Sequence, residues 1–360
     1  MVRKRMSLTR RNFLQTGGAA AVAAVGVPTV GVASKRSSNT EWTKADSPTT
    51  KTLYGVVDTV EGPFAVGAGG DVLARRKSGW QTVVDYGPQA RSRPLRAVDA
   101  TSDGEAIWFV GGSGVIGEYN VVTETLTNYS APKGKTSTWE GCSVVGKTGA
   151  NERLFFVNGS GELLVGTRRK NGAIEYEKVT KPGGGSTIPA IDFHGRTAGH
   201  VCSTSQFVAG STDGGANWTR IGIGFAGEGF FDIASVGPKD VNVAAGNGLV
   251  YRYDGFRWTP HVIDDGRQAI RALDRDGAKG LAAGSGGKVY ERQSAGQWNR
   301  LQTPAKAKLK GVARGKTHDV VVGAGGTIVE RTVERSSSKL PDGNKSVKRY
   351  VEGTVEMALE

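Results

Sequence analysis

The sequence predicts an all-β protein, a seven-bladed β-propeller of four-stranded antiparallel blades closed by the N-terminal strand. Three observations predict it: a repeat of short turns, mostly glycine-rich, an apolar strand on each side of every turn, and a large residue that follows at a similar distance. The chain has 360 residues, of which 54 are Gly and 38% are hydrophobic. This composition is typical of many short strands joined by tight turns, and it excludes a disordered chain or an extended coiled coil.

Seven turns recur at intervals of 38 to 47 residues. They are Gly67–Gly70, Gly111–Gly114, Asn158–Gly161, Ser203–Ser205, Gly246–Gly248, Gly284–Gly287 and Gly323–Gly326. Glycine is favoured in such turns because a tight hairpin forces φ above zero. A period of about forty residues with four short strands per unit is that of a propeller blade.

An innermost strand is predicted ahead of each turn. These strands are Leu53–Val57, Leu95–Asp99, Gly141–Val145, Ile188–Asp192, Phe231–Ser235, Ile270–Asp274 and Leu309–Ala313. Behind the turns, large side chains open the outermost strands and fill the gap between blades as these splay outward. They are Trp80, Trp218, Trp258 and Trp298, with Leu126 and Tyr176 as weaker counterparts.

The seventh repeat lacks its aromatic residue, since Ser336 stands at that position. At the other end of the chain, Trp42 precedes Leu53 by the same eleven residues that separate Trp298 from Leu309. We therefore predict that the N-terminal strand completes the last blade and pairs an edge that would otherwise stay open. The propeller is predicted over residues 34–332.

The first 33 residues are predicted to be a signal peptide. Thr9–Gln15 (TRRNFLQ) resembles the twin-arginine export signal, with Gln15 in place of the usual Lys. An uncharged run of small and apolar residues follows over 16–32, and Gly31–Ala33 offer a cleavage site. A transmembrane anchor is the alternative, but the run is short and is interrupted by Pro28. The resemblance implies export through the Tat translocase to the periplasm, cell surface or medium, with no stable membrane insertion after leader removal.

The charge balance favours an anionic partner. The chain has 47 Lys and Arg against 34 Asp and Glu, a formal net charge of +13, and the chain without its leader carries +8. Acidic proteins and anionic glycans at the cell surface are the expected partners of such an excess. The basic residues are dispersed among acids and lack the aromatic interleaving of a nucleic-acid platform, so no nucleic-acid partner is predicted.

The C-terminal tail, residues 333–360, is polar at first and then alternates in the manner of a strand. Its apolar positions are Val347, Val351, Val355, Met357 and Leu359. Two placements stay open for this extra strand: along the outside of the ring, which we favour, or in competition with Trp42 for the last blade.

One turn carries a known motif. Residues 211–218 (STDGGANW) match the Asp-box pattern, Ser/Thr-x-Asp-x-Gly-x-x-Trp, through Ser211, Asp213, Gly215 and Trp218. The carboxylate accepts backbone N–H groups, the glycine permits the reversal and the Trp packs beneath the turn. With the repeat length, the motif resembles the BNR/Asp-box propellers, which include sialidases and photosystem II assembly factors. The resemblance implies a structural role for the box, away from the active face.

Three carboxylates share one position of the innermost strands. Asp99, Asp192 and Asp274 each stand four residues after the start of the predicted strand, which places them near the central channel. Glycoside hydrolysis needs two carboxylates that face each other across a pocket. A repeated turn role explains the same spacing, so both interpretations stay open.

Three cations share another position. Arg96, Arg271 and Lys310 are second in their innermost strands, near the loops that arrive from the preceding blade. If those loops form the binding face, these side chains would take an anionic group. The other four blades have Tyr54, Glu140, Pro189 and Phe231 at this position.

Other sites are poorly supported. His194 and His200 lie six residues apart without a third ligand, and His261 and His318 are isolated, so no metal is predicted. The glycine-rich turns join strand to strand rather than strand to helix, and no nucleophile elbow or phosphate loop occurs, so no cofactor is predicted. The two cysteines, Cys142 and Cys202, either pair in an oxidising compartment or remain as buried thiols.

The sequence thus predicts an exported, non-catalytic propeller that binds a protein or an anionic carbohydrate through one face of the ring. Two alternatives stay open. One is a sialidase-like glycoside hydrolase or a propeller lyase, although the Arg-Ile-Pro signature of sialidases is missing near the first strand. The other is an assembly or surface-structure component.

Overall fold

The computed structural model describes residues 41–89 and 91–333, which form seven four-stranded antiparallel sheets. The sheets are the blades of a β-propeller, so the predicted fold is confirmed. The predicted signal peptide, Ser336 and the rest of the tail beyond Val333 lie outside the described residues. None of the described residues forms a helix long and apolar enough to cross a membrane.

The strands follow the order of the predicted repeats. The first strand of the described residues is β1 (Thr43–Lys44). Blade 1 contains β2 (Leu53–Val57), β3 (Phe64–Gly67), β4 (Val72–Arg76) and β5 (Gly79–Val84). Blade 2 contains β6 (Leu95–Ala100), β7 (Ala106–Gly111), β8 (Ile116–Asn120) and β9 (Thr125–Asn128). Blade 3 contains β10 (Trp139–Lys147), β11 (Ala150–Asn158), β12 (Leu163–Arg168) and β13 (Ile174–Tyr176).

The second half of the ring repeats this pattern. Blade 4 contains β14 (Ala190–Phe193), β15 (Gly199–Cys202), β16 (Val208–Ser211) and β17 (Thr219–Gly222). Blade 5 contains β18 (Phe230–Gly237), β19 (Asp240–Ala245), β20 (Leu249–Tyr253) and β21 (Trp258–Val262). Blade 6 contains β22 (Ile270–Asp276), β23 (Lys279–Gly284), β24 (Val289–Ser294) and β25 (Gln297–Leu301). Blade 7 contains β26 (Leu309–Arg314), β27 (His318–Gly323), β28 (Ile328–Thr332) and, as its fourth strand, β1.

The strand directions define two faces of the ring. We call the face on which the innermost strands begin the upper face, and the opposite one the lower face. Because neighbouring strands in a blade are antiparallel, the loops between blades and the turns between second and third strands lie on the upper face. The remaining two turns of each blade lie on the lower face.

The N-terminal strand closes the ring as predicted. Thr43 and Lys44 pair with Glu330 and Val329 of β28, and the N–H of Ala45 donates to the carbonyl of Ile328 over 3.1 Å. Trp42 is only 4% exposed and packs with residues of blades 6 and 7. Pairing of β1 with β28 in one blade covers the strand edge that would otherwise stay open.

The hydrophobic core lies between the blades. One cluster joins Phe64 and Val66 of blade 1 to Phe109 of blade 2, and another joins blade 1 to Val320 and Val322 of blade 7. The tryptophans at the outer strands take part in these clusters as predicted. The predicted counterpart Leu126 is 37% exposed, so it fills no gap.

A β-bulge recurs in the innermost strands. In six blades the pairing of the first two strands shifts by one residue at the second position of the innermost strand. The six bulge residues are Tyr54, Arg96, Glu140, Phe231, Arg271 and Lys310. In blade 4 this position is Pro189, which cannot donate to the ladder, and the strand starts one residue later. A bulge re-aims one side chain and interrupts the ladder at that residue, after which the pairing resumes.

Candidate functional site

The innermost strands enclose a central channel with a volume of about 540 Å³. All seven bulge-position residues line it, together with the aspartates farther along the same strands. Because the bulges lie near the start of each innermost strand, their side chains surround the upper end of the channel, which we call the upper mouth.

The upper mouth carries an arc of cations and aromatic rings on one side. In ring order the arc consists of Phe231, Arg271, Lys310, Tyr54 and Arg96, contributed by blades 5, 6, 7, 1 and 2. The Arg271 guanidinium lies 4.4 Å from the ring centre of Phe231. Arg96 and Lys310 approach the ring of Tyr54 at 5.0 Å and 5.3 Å. The structure thus brings together the three cations that the sequence singled out, beside two rings that hold them by cation–π attraction.

The charges in this arc affect one another. Burial lowers the pKa of Lys310, and the positive charges of Arg271, Lys308 and Arg96 lower it further. Burial also lowers the pKa of Arg271. The lowered pKa values mean that the charged forms of these side chains are destabilised in this site. An anion bound beside them would stabilise the charged forms. Binding of anions by these residues stays a prediction.

The loops of the upper face add to its positive charge. Their basic residues are Lys51, Arg91, Arg93, Lys133, Lys135, Lys178, Lys181, Arg267, Lys288, Lys306 and Lys308. Their acidic residues are fewer: Asp46, Asp71, Asp85, Glu162, Glu177, Glu228, Asp264 and Asp265. Three of the acids pair with lysines of the same face. The basic residues still outnumber the acidic ones, so the face has a basic excess. Such an excess attracts negatively charged partners toward this face.

Deeper in the channel, the predicted aspartates join neighbouring blades. Asp99 accepts the N–H of Val144 over 2.7 Å, and Asp192 accepts the N–H of Ser235 over 2.6 Å. Asp274 accepts the N–H of Arg314 over 2.6 Å. In each case the acceptor lies on the innermost strand of one blade and the donor on that of the next. The repeated position therefore has a role between blades rather than within a turn.

A fourth aspartate, Asp232, does the same and was missed by the sequence analysis. It accepts the N–H groups of Ile233 and Leu273 over 2.8 Å and 2.7 Å. Burial raises the pKa of Asp99 and Asp232 to about 7, and that of Asp192 and Asp274 to about 6. Groups with such pKa values can act as general acids near neutral pH. In Asp232, however, both carboxyl oxygens accept hydrogen bonds, which restrain the group. Ligand binding by the predicted aspartates stays a prediction.

Two histidines meet at the interface of blades 4 and 5. Nδ1 of His194 and Nδ1 of His200 lie 2.8 Å and 2.6 Å from the hydroxyl of Ser235. The hydroxyl has one proton, so it donates to at most one of the two rings, and at least one ring carries its proton on Nδ1. Burial lowers the pKa of His200 to about 4, with a smaller contribution from His194.

Among the described residues no group of His, Cys, Asp and Glu is arranged to hold a metal ion. Cys142 and Cys202 are both free and buried.

The Asp-box turn lies on the lower face, away from the upper mouth. Asp213 accepts the N–H and the side-chain amide of Asn217 over 2.9 Å and 2.8 Å, and the hydroxyl of Ser211 over 2.9 Å. Trp218 donates to the carbonyl of Gly215 over 3.0 Å, directly before β17. Gly215 has a φ of 90°, a conformation that favours glycine. These contacts hold the turn together locally.

The chain matches no protein-family model and no curated protein. It is similar to solved propeller structures. YCF48 from Cyanidioschyzon merolae has a TM-score of 0.65 and 15% identity, over 81% of this chain and 99% of that one. A catalytically inactive virginiamycin B lyase from Staphylococcus aureus with quinupristin has a TM-score of 0.67 and 14% identity, over 81% and 99%. YCF48 bound to D1 peptide has a TM-score of 0.63 and 13% identity, over 81% and 97%. At these identities the likeness is one of fold, that of a β-propeller.

Proposed function

We propose that this protein is an exported, non-catalytic β-propeller that binds an acidic protein segment or an anionic carbohydrate at its upper mouth. The observation that carries the proposal is the continuous arc of Arg271, Lys310 and Arg96 with Phe231 and Tyr54. Guanidinium groups bind carboxylates in a planar, two-pronged geometry, and aromatic rings supply apolar area beside them. Glu140 and Pro189 occupy the other side of the mouth, so a bound anion would be held asymmetrically.

Two further observations support binding on this face. The basic excess of the upper loops extends the attraction beyond the mouth. A protein of similar fold, YCF48, is known bound to D1 peptide, and another chain of similar fold is part of a mitotic checkpoint complex. These neighbours make a peptide or protein partner reasonable for the fold, while the arc of cations gives this chain its own preference for negative charge.

A binding experiment tests the proposal directly. The mature chain, residues 34–360, is titrated with two fluorescent probes, a hexaglutamate peptide and an oligogalacturonate, and anisotropy gives the dissociation constants. Neutralisation of the arc by Arg96→Gln, Arg271→Gln and Lys310→Gln is expected to weaken binding at least tenfold. Raising the salt concentration is expected to weaken the binding of the unaltered chain.

The matched control removes the same charge from the lower face. Lys77→Gln, Lys239→Gln and Lys316→Gln are expected to leave both dissociation constants within about twofold, since these residues lie in lower-face turns. Equal weakening by both triple variants would show that only net charge matters and would contradict a site at the upper mouth. Failure of both probes to bind would contradict an anion-binding function.

Catalysis and export have separate tests. Release of products from the oligogalacturonate, abolished by Asp99→Asn or Asp274→Asn, would replace the proposal with a propeller hydrolase or lyase.

For export, residues 1–33 fused to a reporter enzyme are expected to direct it out of the cytoplasm. Replacement of Arg10 and Arg11 by Lys is expected to stop that export, because the proposed route depends on the arginine pair.

A further inference from the structure

Neighbouring blades are joined near the lower half of the ring by acid–arginine pairs between their third strands. At the interface of blades 6 and 7, Glu291 of β24 pairs with Arg331 of β28. At the interface of blades 7 and 1, Glu330 of β28 pairs with Arg75 of β4 over 2.9 Å. In both cases the acid is two residues, and the arginine three residues, after the first paired position of the third strand.

The interface of blades 5 and 6 breaks this rule. By the same register, which starts at Val250 in β20, the position of the acid is occupied by Arg252. The arginine of blade 6 is present as Arg292, three residues after Val289. Two arginines thus face the interface where the next two interfaces have an acid and an arginine.

A third arginine joins them, and one carboxylate pairs with two of the three. Arg275 of β22 holds Asp240 through both guanidinium nitrogens, over 2.9 Å and 2.8 Å. Arg252 lies 3.9 Å from the same carboxylate. Arg292 makes no ion pair with a described acid and donates only to the carbonyl of Ala278. We call Arg252, Arg275, Arg292 and Asp240 the arginine cluster.

The arginine cluster has an excess of buried positive charge. Arg331 has two acids of its own, Asp319 and Glu291. The arginine cluster instead has three guanidinium groups for one carboxylate. Arg292 is only 2% exposed, and the side chain of Arg275 is fully buried. Unneutralised charge at such positions is costly because water is excluded.

Three N–H groups of the arginine cluster have no acceptor. They are the Nε–H groups of Arg252, Arg275 and Arg292, which are buried and make no hydrogen bond to any described residue. Buried donors without a partner are rare, and each destabilises the fold. Burial first, and then the charge of Arg275, lower the pKa of Arg292 to about 10. Three free donors and two excess positive charges thus belong to one cluster of four residues at the interface of blades 5 and 6.

We propose that the arginine cluster is a binding site for a doubly charged tetrahedral oxyanion: free hydrogen phosphate, free sulfate, or the phosphate end group of a monoester. Two negative charges neutralise the excess, and four oxygens supply acceptors for the free Nε–H groups. Access is through Arg252 and Asp240, whose side chains are 24% and 36% exposed. The site lies in the lower half of the ring between blades 5 and 6, so it is separate from the upper mouth.

The chain itself suggests the test variant. Arg252→Glu recreates the acid–arginine pair of the next two interfaces and supplies the missing negative charge within the protein. Arg257→Glu makes the same change of charge at a side chain of the same blade that is 82% exposed, and serves as the control. Calorimetric titration with sodium phosphate and with sodium sulfate, at constant ionic strength in chloride, gives the affinity of each protein. Thermal unfolding in the same buffers gives the effect on stability.

The unaltered chain and Arg257→Glu are expected to bind one phosphate or sulfate and to melt several degrees higher in millimolar anion. Arg252→Glu is expected to melt higher in chloride alone and to lose that response to both anions. Competition by O-phosphoserine would assign the site to the end group of an ester, and its failure to compete would assign it to the free ion. Absence of binding to the unaltered chain would overturn the proposal. An unchanged response in Arg252→Glu would do the same, because the anion would then act elsewhere.

Discussion

Glu330 joins the first and last blades of the ring by accepting three hydrogen bonds from blade 1, two from Arg75 and one from Trp80. Its carboxylate lies 2.9 Å from Nη2 of Arg75 and 3.0 Å from Nε1 of Trp80. The backbone of the same residue pairs with Thr43 in the N-terminal strand. One side chain and its backbone therefore connect three parts of the chain at the place where the ring closes.

Replacement of Glu330 by Ala is expected to lower the free energy of unfolding by roughly 2–4 kcal/mol. The change leaves the partly buried guanidinium of Arg75 without its carboxylate and the indole N–H of Trp80 without its acceptor. Urea unfolding measures it. Glu124→Ala, which breaks an ion pair of which the acid is 64% exposed, is the control and is expected to cost less than about 1 kcal/mol. Equal costs would show that closure does not depend on Glu330.

Trp42→Ala is expected to destabilise the ring by about 3–5 kcal/mol, since it leaves a cavity at the closing strand. Deletion of residues 34–48 removes the whole strand and is expected to lower the melting temperature further. Thermal unfolding followed by circular dichroism measures both. Val122→Ala, at a side chain 56% exposed, is expected to change little. An unchanged melting temperature after the deletion would contradict closure by the N-terminal strand.

The channel aspartates are expected to make the fold less stable as the pH rises from about 4 to 7. Burial raises the pKa of Asp232 to about 7. The folded chain therefore keeps a proton that the unfolded chain, with a pKa near 3.8, has already lost, and the free energy of unfolding falls across that window. His200 acts in the opposite sense between pH 4 and 6.5, because burial lowers its pKa to about 4.

Asp232→Ser separates these contributions. In blade 3 the chain already uses a serine between blades, since the hydroxyl of Ser143 accepts the N–H of Phe193 over 3.0 Å. The variant keeps an oxygen acceptor and removes one titrating carboxyl group. Urea unfolding at pH 5, 6, 7 and 8 is expected to show a shallower fall than that of the unaltered chain. The same slope in both proteins would mean that Asp232 is not protonated in the fold.

Asp213→Ala is expected to lower stability by about 1 kcal/mol without changing the affinity for acidic probes. It removes the acceptor for Asn217 and Ser211 in a turn of the lower face. Thermal unfolding and the anisotropy titration, measured on one preparation, distinguish the two effects. Weaker binding with an unchanged melting temperature would place the Asp box within the binding site.

The repeat made much of this architecture predictable from the sequence. Glycine turns, paired apolar strands and outer tryptophans recur because each blade must present the same surfaces to its neighbours. The closing strand was predictable because a missing aromatic at one end corresponded to an extra Trp42 at the other. The predicted innermost strands agree with those of the structure to within two residues at nearly all their ends.

The sequence did not reveal the features that depend on contacts between blades. Asp232 was missed because it is the third residue of β18, whereas Asp99 and Asp274 are the fifth residues of their innermost strands. The arginine cluster involves residues up to 52 positions apart, from Asp240 to Arg292. It becomes visible only when Arg252 is compared with Glu291 and Glu330 at the same strand position. An alignment of the third strands against one another would have been the signal.

The recurring bulge separates the residue of each blade that lines the channel from the residues that pack against the neighbouring blades. Because the bulge residue faces the channel while its neighbours stay in the sheet, substitution there changes the lining of the mouth without disturbing the interfaces between blades. Six such positions around one axis, with Pro189 at the seventh, form a set of variable contacts on a constant frame. A new specificity can therefore arise in such a ring one residue at a time, with little loss of folding stability at each step.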